Sequence, residues 1–451
     1  MATPSETRNP KLETSFYDVA IIGGGMAGAS LALALKELPL SVALVEAVPF
    51  ESAAQPAFDA RAIALAAGSQ RILQAMGVWP ALAARGITAI EHIHVSERGG
   101  FGSARLEAAE ENVAALGYVV EGRVIGAALT AALAQCPRVD LICPAELTAV
   151  QMAGDAADIQ LSHGGAVRNL RARLLVAADG GRSTVRDQLG AHTWDLGYGQ
   201  TAVIATVATD RPHGNTAYER FTDTGPLALL PCDPPADAEP GLSGRRWSLV
   251  WTVRDGQVDE MLALDDAEFL RRLQQRFGYR AGRFVRVSER HAYPLALRFV
   301  REAAAERIAY IGNAAHAIHP VAGQGFNLGL RDVAALAQVI AGAVGRGDDI
   351  GSLAVLKDYV AWRRPDYLRT AAFTDGLVRT YSNNLPPLKL ARNLGLLALD
   401  SLPPLKHLLA RQSMGLVGHL PRLACGLAVT PPPAVTSFEF RVSKTTGSGE
   451  S

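Results

Sequence analysis

The chain has 451 residues, enough for more than one domain and for a large core. Its 44 basic and 44 acidic residues cancel, so no global field recruits nucleic acid or repels a membrane surface. Charged residues are sparse at 20%, and mean hydropathy is slightly positive at +0.11, which suits a protein that meets something apolar.

Residues 1–15 read as a loose polar tail without the apolar core of a secretory signal. Order is expected from "FYDVAIIGGGMAGASLALALKEL", an apolar strand followed by glycines and a helix. "SVALVEA" predicts a second strand, and helical spacing returns in "AGSQRILQAMGVWPALAARG" and "VIGAALTAALAQ". Short strands follow, ending in "ARLLVAADGGRSTVRDQLG", again strand, turn and helix. From Ala191 to Pro294 the pattern becomes β-rich alternation, as in "TAVIATVAT" and "RRWSLVWTV", with one helix near "DAEFLRRLQQRFG". "RIAYIGNAAH" then returns to buried strand and helix.

The predicted fold class is therefore α/β: a Rossmann-like nucleotide-binding domain interrupted by a β-sheet-rich domain, plus C-terminal helices. The boundaries place 16–90, 115–190 and 295–375 in the first, 91–114 and 191–294 in the second, and 376–430 in the helical segment. Residues 431–451 read as a second loose tail. The helical segment is leucine-rich, broken by Pro-Pro pairs, and carries Lys389, Arg392, Lys406, Arg411 and Arg422 against one acid, Asp400. Such helices can lie in a lipid interface, cap the fold, or form an oligomer contact. No run of about eighteen uninterrupted apolar residues suggests a spanning helix. Cys136, Cys143, Cys232 and Cys425 are scattered without a C-x-x-C pair, which fits a reducing compartment. A cytoplasmic, peripherally membrane-associated protein is the expectation.

Gly23-x-Gly25-x-x-Gly28 sits between strand and helix. Gly23 permits the tight turn, Gly25 leaves room for a pyrophosphate against bare backbone, and Gly28 lets helix and strand pack closely. Glu46, at the end of the second strand, can accept both hydroxyls of an adenosine ribose. Two further glycine-marked strand ends follow. One holds Asp179 and Gly180, with Arg182, Ser183 and Arg186 running into a helix. The other, "IGNAAHAIHPVAGQGFNLGLRD", holds Gly312 and Asn313, then Pro320, Gly323, Gln324, Gly325 and Asn327. Three such junctions converging on one elongated ligand suit FAD better than NAD. His316 and His319 lack companion ligands, and Pro320 breaks the helix that would align them, so no metal site is expected. Tyr198, Tyr218 and Tyr293 could touch an aromatic ligand, but each reads first as a sheet aromatic. No general base is legible.

The glycine trio, "ADG" at 178–180 and "GNAAH" at 312–316 resemble the single-component flavoprotein aromatic hydroxylases of the para-hydroxybenzoate hydroxylase class. Within it, "FDARAIALAAGSQRILQAMGVW", "GPLALLP" and "GNAAHAIHPVAGQGFNLGLRD" are similar to the ubiquinone-biosynthesis hydroxylases, most of all the branch acting on 2-polyprenyl-6-methoxyphenol. The resemblance covers Tyr17 to Leu416. It implies FAD as cofactor, NAD(P)H and O2 as co-substrates, and oxygen carried as a flavin C4a-hydroperoxide to an electron-rich ring carbon. It implies that Glu46 holds the adenosine ribose, that Arg61 lies near the pyrophosphate or nicotinamide, and that Arg123 lies at a helix start against FAD. Asp179 would serve FAD and NAD(P)H, and Asn313 would bond the ribityl chain where the class usually has aspartate. Pro320 to Asn327 would pass beneath the flavin ring and aim a helix N-terminus at its N1–C2=O edge. A polyprenyl phenol implies a membrane surface, a quinone-biosynthesis complex or a homo-oligomer as partner. Sister ring-position hydroxylases, or a non-catalytic flavoprotein in such a complex, are the rival readings. Halogenases are further off, since no W-x-W-x-I-P stretch is present.

Overall fold

The structure is a computed structural model and describes residues 14–50, 62–233, 240–318, 323–381 and 386–430. Two large sheets organise it. The first has eight strands, and its spine runs in the order 304–305, 308–310, 166–177, 15–22, 42–45, 139–142. The four pairings from Ile308–Tyr310 across to Val139–Ile142 are parallel. Their apolar runs explain this: Val42–Val45 is buried at every residue, as is Ile308–Tyr310. Such strands need cover on both faces. Helix Met26–Ala34 packs between Gly122–Leu133 and Gln324–Arg346. A hairpin, Ala145–Ala153 and Ala156–His163, extends this sheet through Ala166–Ala177.

The second sheet has nine strands in the order 316–317, 291–300, 193–209, 246–254, 225–231, 216–222, 92–97, 103–107, with 284–287 beside 193–209. It reaches past Pro294 to Val300 and takes in His316–Ala317 from the third glycine junction. One face packs Val203, Trp247, Leu249 and Trp251 against helix Asp266–Phe277. A small antiparallel sheet is built from 62–66, 117–121 and 88–90.

Gln324–Arg346 is long and apolar enough to cross a membrane, but most of it is buried in the core. After it come the 29-residue helix Leu353–Tyr381 and two short helices, Pro386–Ser401 and Pro403–Ser413. The short pair is clamped to strands 92–97 and 103–107. Buried Glu97 accepts from Arg392 Nη2 (2.6 Å) and Asn393 Nδ2 (2.6 Å), and Gly102 N donates to Asn393 Oδ1 (2.7 Å). Lys406 pairs with Glu110 (2.7 Å) and His407 with Glu111 (2.6 Å). The expected basic lipid face is therefore corrected in part: Arg392 and Lys406 are spent on the protein. Leucines point outward instead, with Leu390, Leu394, Leu405 and Leu408 each about half exposed.

Candidate functional site: a flavin cleft

Parallel register brings the three glycine junctions together. Ile22 pairs with Ala177, and Ala177 with Tyr310, so Gly23, Ala178–Gly180 and Ile311–Asn313 leave the sheet side by side. Val45 pairs with Ile22 on the other side and delivers Glu46 to the same edge. Ligands of such sheets bind at the carboxyl ends of the strands.

At Gly23 the backbone is left-handed (φ +103°), and a Cβ there would strike the Ala178 carbonyl. A Cβ at Gly28 would collide with the Gly23 carbonyl oxygen. Around Gly25 nothing lies within 4 Å of where a Cβ would be, so its bareness serves the open space in front of the helix. Buried Glu46 accepts from Gly24 N (2.6 Å) and Val48 N (2.9 Å), which fixes its carboxylate while each oxygen keeps a second lone pair. Asp179 Oδ2 accepts from Val185 N (3.1 Å), whereas Oδ1 is buried without a hydrogen-bond partner among the described residues. Burial pushes the Asp179 carboxyl up, against hydrogen bonds from Ser183 and Val185 that pull it back. A buried acceptor left empty costs about 1–3 kcal/mol, which a donor from a bound group recovers.

Gly23, Gly25, Glu46 and Asp179 line one cavity of 1220 Å³ with Gly180, Gly312, Asn313, Gly323, Gly325 and Asn327. Asn327 lines the cavity while its side-chain amide bonds to the protein. Its Oδ1 accepts from Ala66 N (2.8 Å) and Ser69 Oγ (2.7 Å), and its Nδ2 donates to Ala64 O (2.8 Å) and Gly323 O (2.7 Å). With that capacity taken up, it ties the start of helix Gln324–Arg346 to strand Ala62–Ala66. Gln324 is buried beside the C-terminal helix, donating to Ser413 O (3.4 Å). Arg123 stands outside the cavity lining, paired with Glu121 (2.5 Å), which also holds Arg246 (2.8 Å). Arg61 and Pro320 lie outside the described residues.

The residue that sequence reasoning passed over is Asp332, the last letter of the quoted junction. Fully buried, it accepts from Gly312 N (3.0 Å), Arg363 Nε (2.7 Å) and Tyr367 OH (2.7 Å), and meets His316 Nε2 (2.8 Å). Burial opposes its charge, but Arg363 and His316 outweigh that and hold its carboxyl below the usual range. His316 is thus a packed core histidine, and Asp332 sets the position of the Gly312–Asn313 turn.

The far wall of the cavity is the open face of the nine-stranded sheet, with Ile93, Val95, Ile204, Phe221, Leu230 and Val250. A mostly apolar arm of the lining comes from the C-terminal helices, with Phe373, Leu377, Leu396, Leu399 and Leu409, and Thr380 and Arg392 among them. Tyr293 lines the cavity. Tyr218 also lines it, with its ring packed against Trp247 (5.6 Å) and Phe277 (5.5 Å), and Tyr198 is not among the lining residues.

Residues 16–373 match the family described as FAD binding domain. The chain belongs to that family. The flavoprotein is 40% identical over 398 residues to ubiquinone hydroxylase UbiL of Rhodospirillum rubrum, covering 88% of this chain and 89% of that one. It is 34% identical over 406 residues to 3-demethoxyubiquinol 3-hydroxylase of Escherichia coli, covering 88% and 98%. In fold it is similar to p-nitrophenol 4-monooxygenase PnpA from Pseudomonas putida DLL-E4, with TM-score 0.72 and 20% identity over 89% of this chain and 99% of that one. The flavoprotein is an FAD-dependent monooxygenase, and NAD(P)H as electron donor is typical of its class. The glycine cradle, the fixed Glu46 and the empty Asp179 acceptor fit that cofactor.

Proposed function

We propose that the flavoprotein hydroxylates the ring of a prenylated phenol in ubiquinone biosynthesis, converting 2-polyprenyl-6-methoxyphenol to the corresponding 1,4-benzoquinol. The observation that carries this reading is the cavity itself: a cofactor cradle continuous with a long apolar arm. FAD, when bound, supplies oxygen activation with electrons from NAD(P)H. The chain's own residues bind, orient and keep the site dry. Glu46 holds the adenosine ribose, and the bare backbone around Gly25 at the start of helix Met26–Ala34 faces the pyrophosphate. Asp179 Oδ1 takes a hydroxyl or amide donor, Asn313 bonds the ribityl chain, and the N-terminus of Gln324–Arg346 faces negative charge at the ring edge. The apolar sheet face excludes water from the reacting carbon.

The arm beneath the short helices receives the prenyl tail, and the outward leucines above it dock on the bilayer that stores such a substrate. Replacing Leu390, Leu394, Leu405 and Leu408 with Gln lowers liposome co-sedimentation severalfold while FAD content holds. Equal sedimentation would assign those helices to a cap or subunit contact.

A second reading, hydroxylation at ring position 3 of a demethoxyubiquinol, is favoured by the Escherichia coli relative's name. One experiment separates the two. FAD-loaded protein is given each substrate in micelles with NAD(P)H and air, and products are resolved by mass spectrometry and NMR. Oxygen para to the phenol hydroxyl supports the first reading and oxygen at position 3 the second. Hydrogen peroxide alone from both substrates contradicts both.

A further inference from the structure

Where it lines the cavity, the nine-stranded sheet is mostly apolar, with Glu219 and Tyr293 as exceptions, while Glu97, opposite Phe221 on the same face, is held by Arg392 and Asn393. Register places Glu219 opposite Val95 on one neighbour and Ala228 on the other, and the row continues to Val250 and Ile204. All of these line the cavity, as does Phe221, two residues along the strand from Glu219. The reverse face carries Leu229, Leu249 and Val203 into the packed core under helix Asp266–Phe277. Strand alternation therefore fixes Glu219 on the cavity side, where the default residue is apolar. Among the described residues it is the only carboxylate on this sheet face that lines the cavity. Tyr293, the other polar side chain there, stands four strands away, on the strand that pairs with the His316–Ala317 junction.

We propose that Glu219 is a catalytic residue that accepts the hydrogen bond of the substrate's ring hydroxyl and takes its proton during oxygen transfer. This rests on the phenol-hydroxylase reading above. A hydroxyl held on the sheet side of the ring turns the opposite, para carbon back towards the cofactor cradle, so one contact sets both position and reactivity. The O–H bond breaks towards the carboxylate, its electron pair flows into the ring, and the para carbon bonds one oxygen atom of O2. The other oxygen leaves as water with the two electrons of NAD(P)H. The para carbon then loses its hydrogen as a proton, and Glu219 returns its own proton to the ring oxygen.

The test compares wild type with Glu219→Gln and Glu219→Asp, all FAD-loaded. Glu219→Gln is expected to keep wild-type FAD content and flavin reduction by NAD(P)H, yet to lose hydroxylation by about 100-fold or more. Nicotinamide oxidation then ends in hydrogen peroxide, the acid limb of the hydroxylation pH profile disappears, and Glu219→Asp recovers part of the product. Independently of turnover, the ultraviolet difference spectrum of bound 2-prenyl-6-methoxyphenol shows a red-shifted phenol band in wild type that is absent in Glu219→Gln. Wild-type coupling and spectrum in Glu219→Gln would overturn the assignment, as would loss of FAD, which marks a structural role. A wild type that hydroxylates no prenylated phenol breaks the functional reading itself. A productive wild type matched by Glu219→Gln breaks only the role of Glu219.

Discussion

Where the eight-stranded sheet meets the cavity it offers glycine backbone, a helix N-terminus and the carboxylates of Glu46, Glu146 and Asp179. Where the nine-stranded sheet meets it, it offers isoleucine, valine, leucine and phenylalanine around Glu219. The two halves recognise by different physics. A pyrophosphate and its ribose need directed donors and acceptors at close approach, which bare backbone provides. A greasy ring and tail need shape and dryness, and one polar group suffices to fix orientation. The first half tolerates almost no added atoms, whereas the second should tolerate volume-conserving apolar swaps.

Breaking the polar half at its support gives the largest effect. Asp332→Asn leaves buried Arg363 to Asp366 (2.5 Å) and weakens the hold on Gly312 N, and a cost of about 1–3 kcal/mol is expected by chemical denaturation, with FAD lost as the Gly312 turn drifts. A change below about 1 kcal/mol would show that Asp332 supports nothing.

The glycine pair sharpens the comparison. Gly28→Ala collides with backbone and lowers the melting temperature even without cofactor. Gly25→Ala meets no protein atom, so it keeps the fold and loses FAD affinity by about tenfold or more, which is about 1.4 kcal/mol. Equal melting and equal FAD titration for both variants would contradict the cradle.

The smallest effect belongs to the packed side of the second sheet. His94 is buried beside Tyr218, and burial, with Arg280 and Arg105 nearby, pulls its pKa down to about 4. Its folded pKa is depressed, so its contribution to stability is full above 6.5 and fades as pH falls towards 4. His94→Phe should flatten that acid loss by on the order of 1 kcal/mol after solvent screening. The check is melting temperature against pH, and parallel curves for the two proteins would remove His94 from the account.

Local patterns made the polar half readable in the sequence. Strand, glycine and helix succeed one another within a few residues, and Glu46 follows at the end of the next strand. Longer-range geometry hid the rest. Arg392 and Lys406 looked like a basic face because their partners, Glu97 and Glu110, lie far back in the chain. That the Asn327 side chain makes four hydrogen bonds to the protein was not legible either, since Ala64, Ala66 and Ser69 lie more than 250 residues back. Glu219 did leave a signal, a charge on the apolar period of "TAYERFT", but which side of that strand faces the cavity is settled only by pairing across the sheet.

The most direct test of a cofactor cradle joined to an apolar arm is the affinity of the FAD-loaded protein for phenols of increasing tail length. Flavin absorbance would be titrated with 2-methoxyphenol and its prenyl, farnesyl and longer derivatives. Each buried methylene contributes about 0.8 kcal/mol, so affinity should climb steeply and then level off once the arm is full. Equal affinity with and without a tail would contradict the account, leaving a flavin hydroxylase for some small phenol.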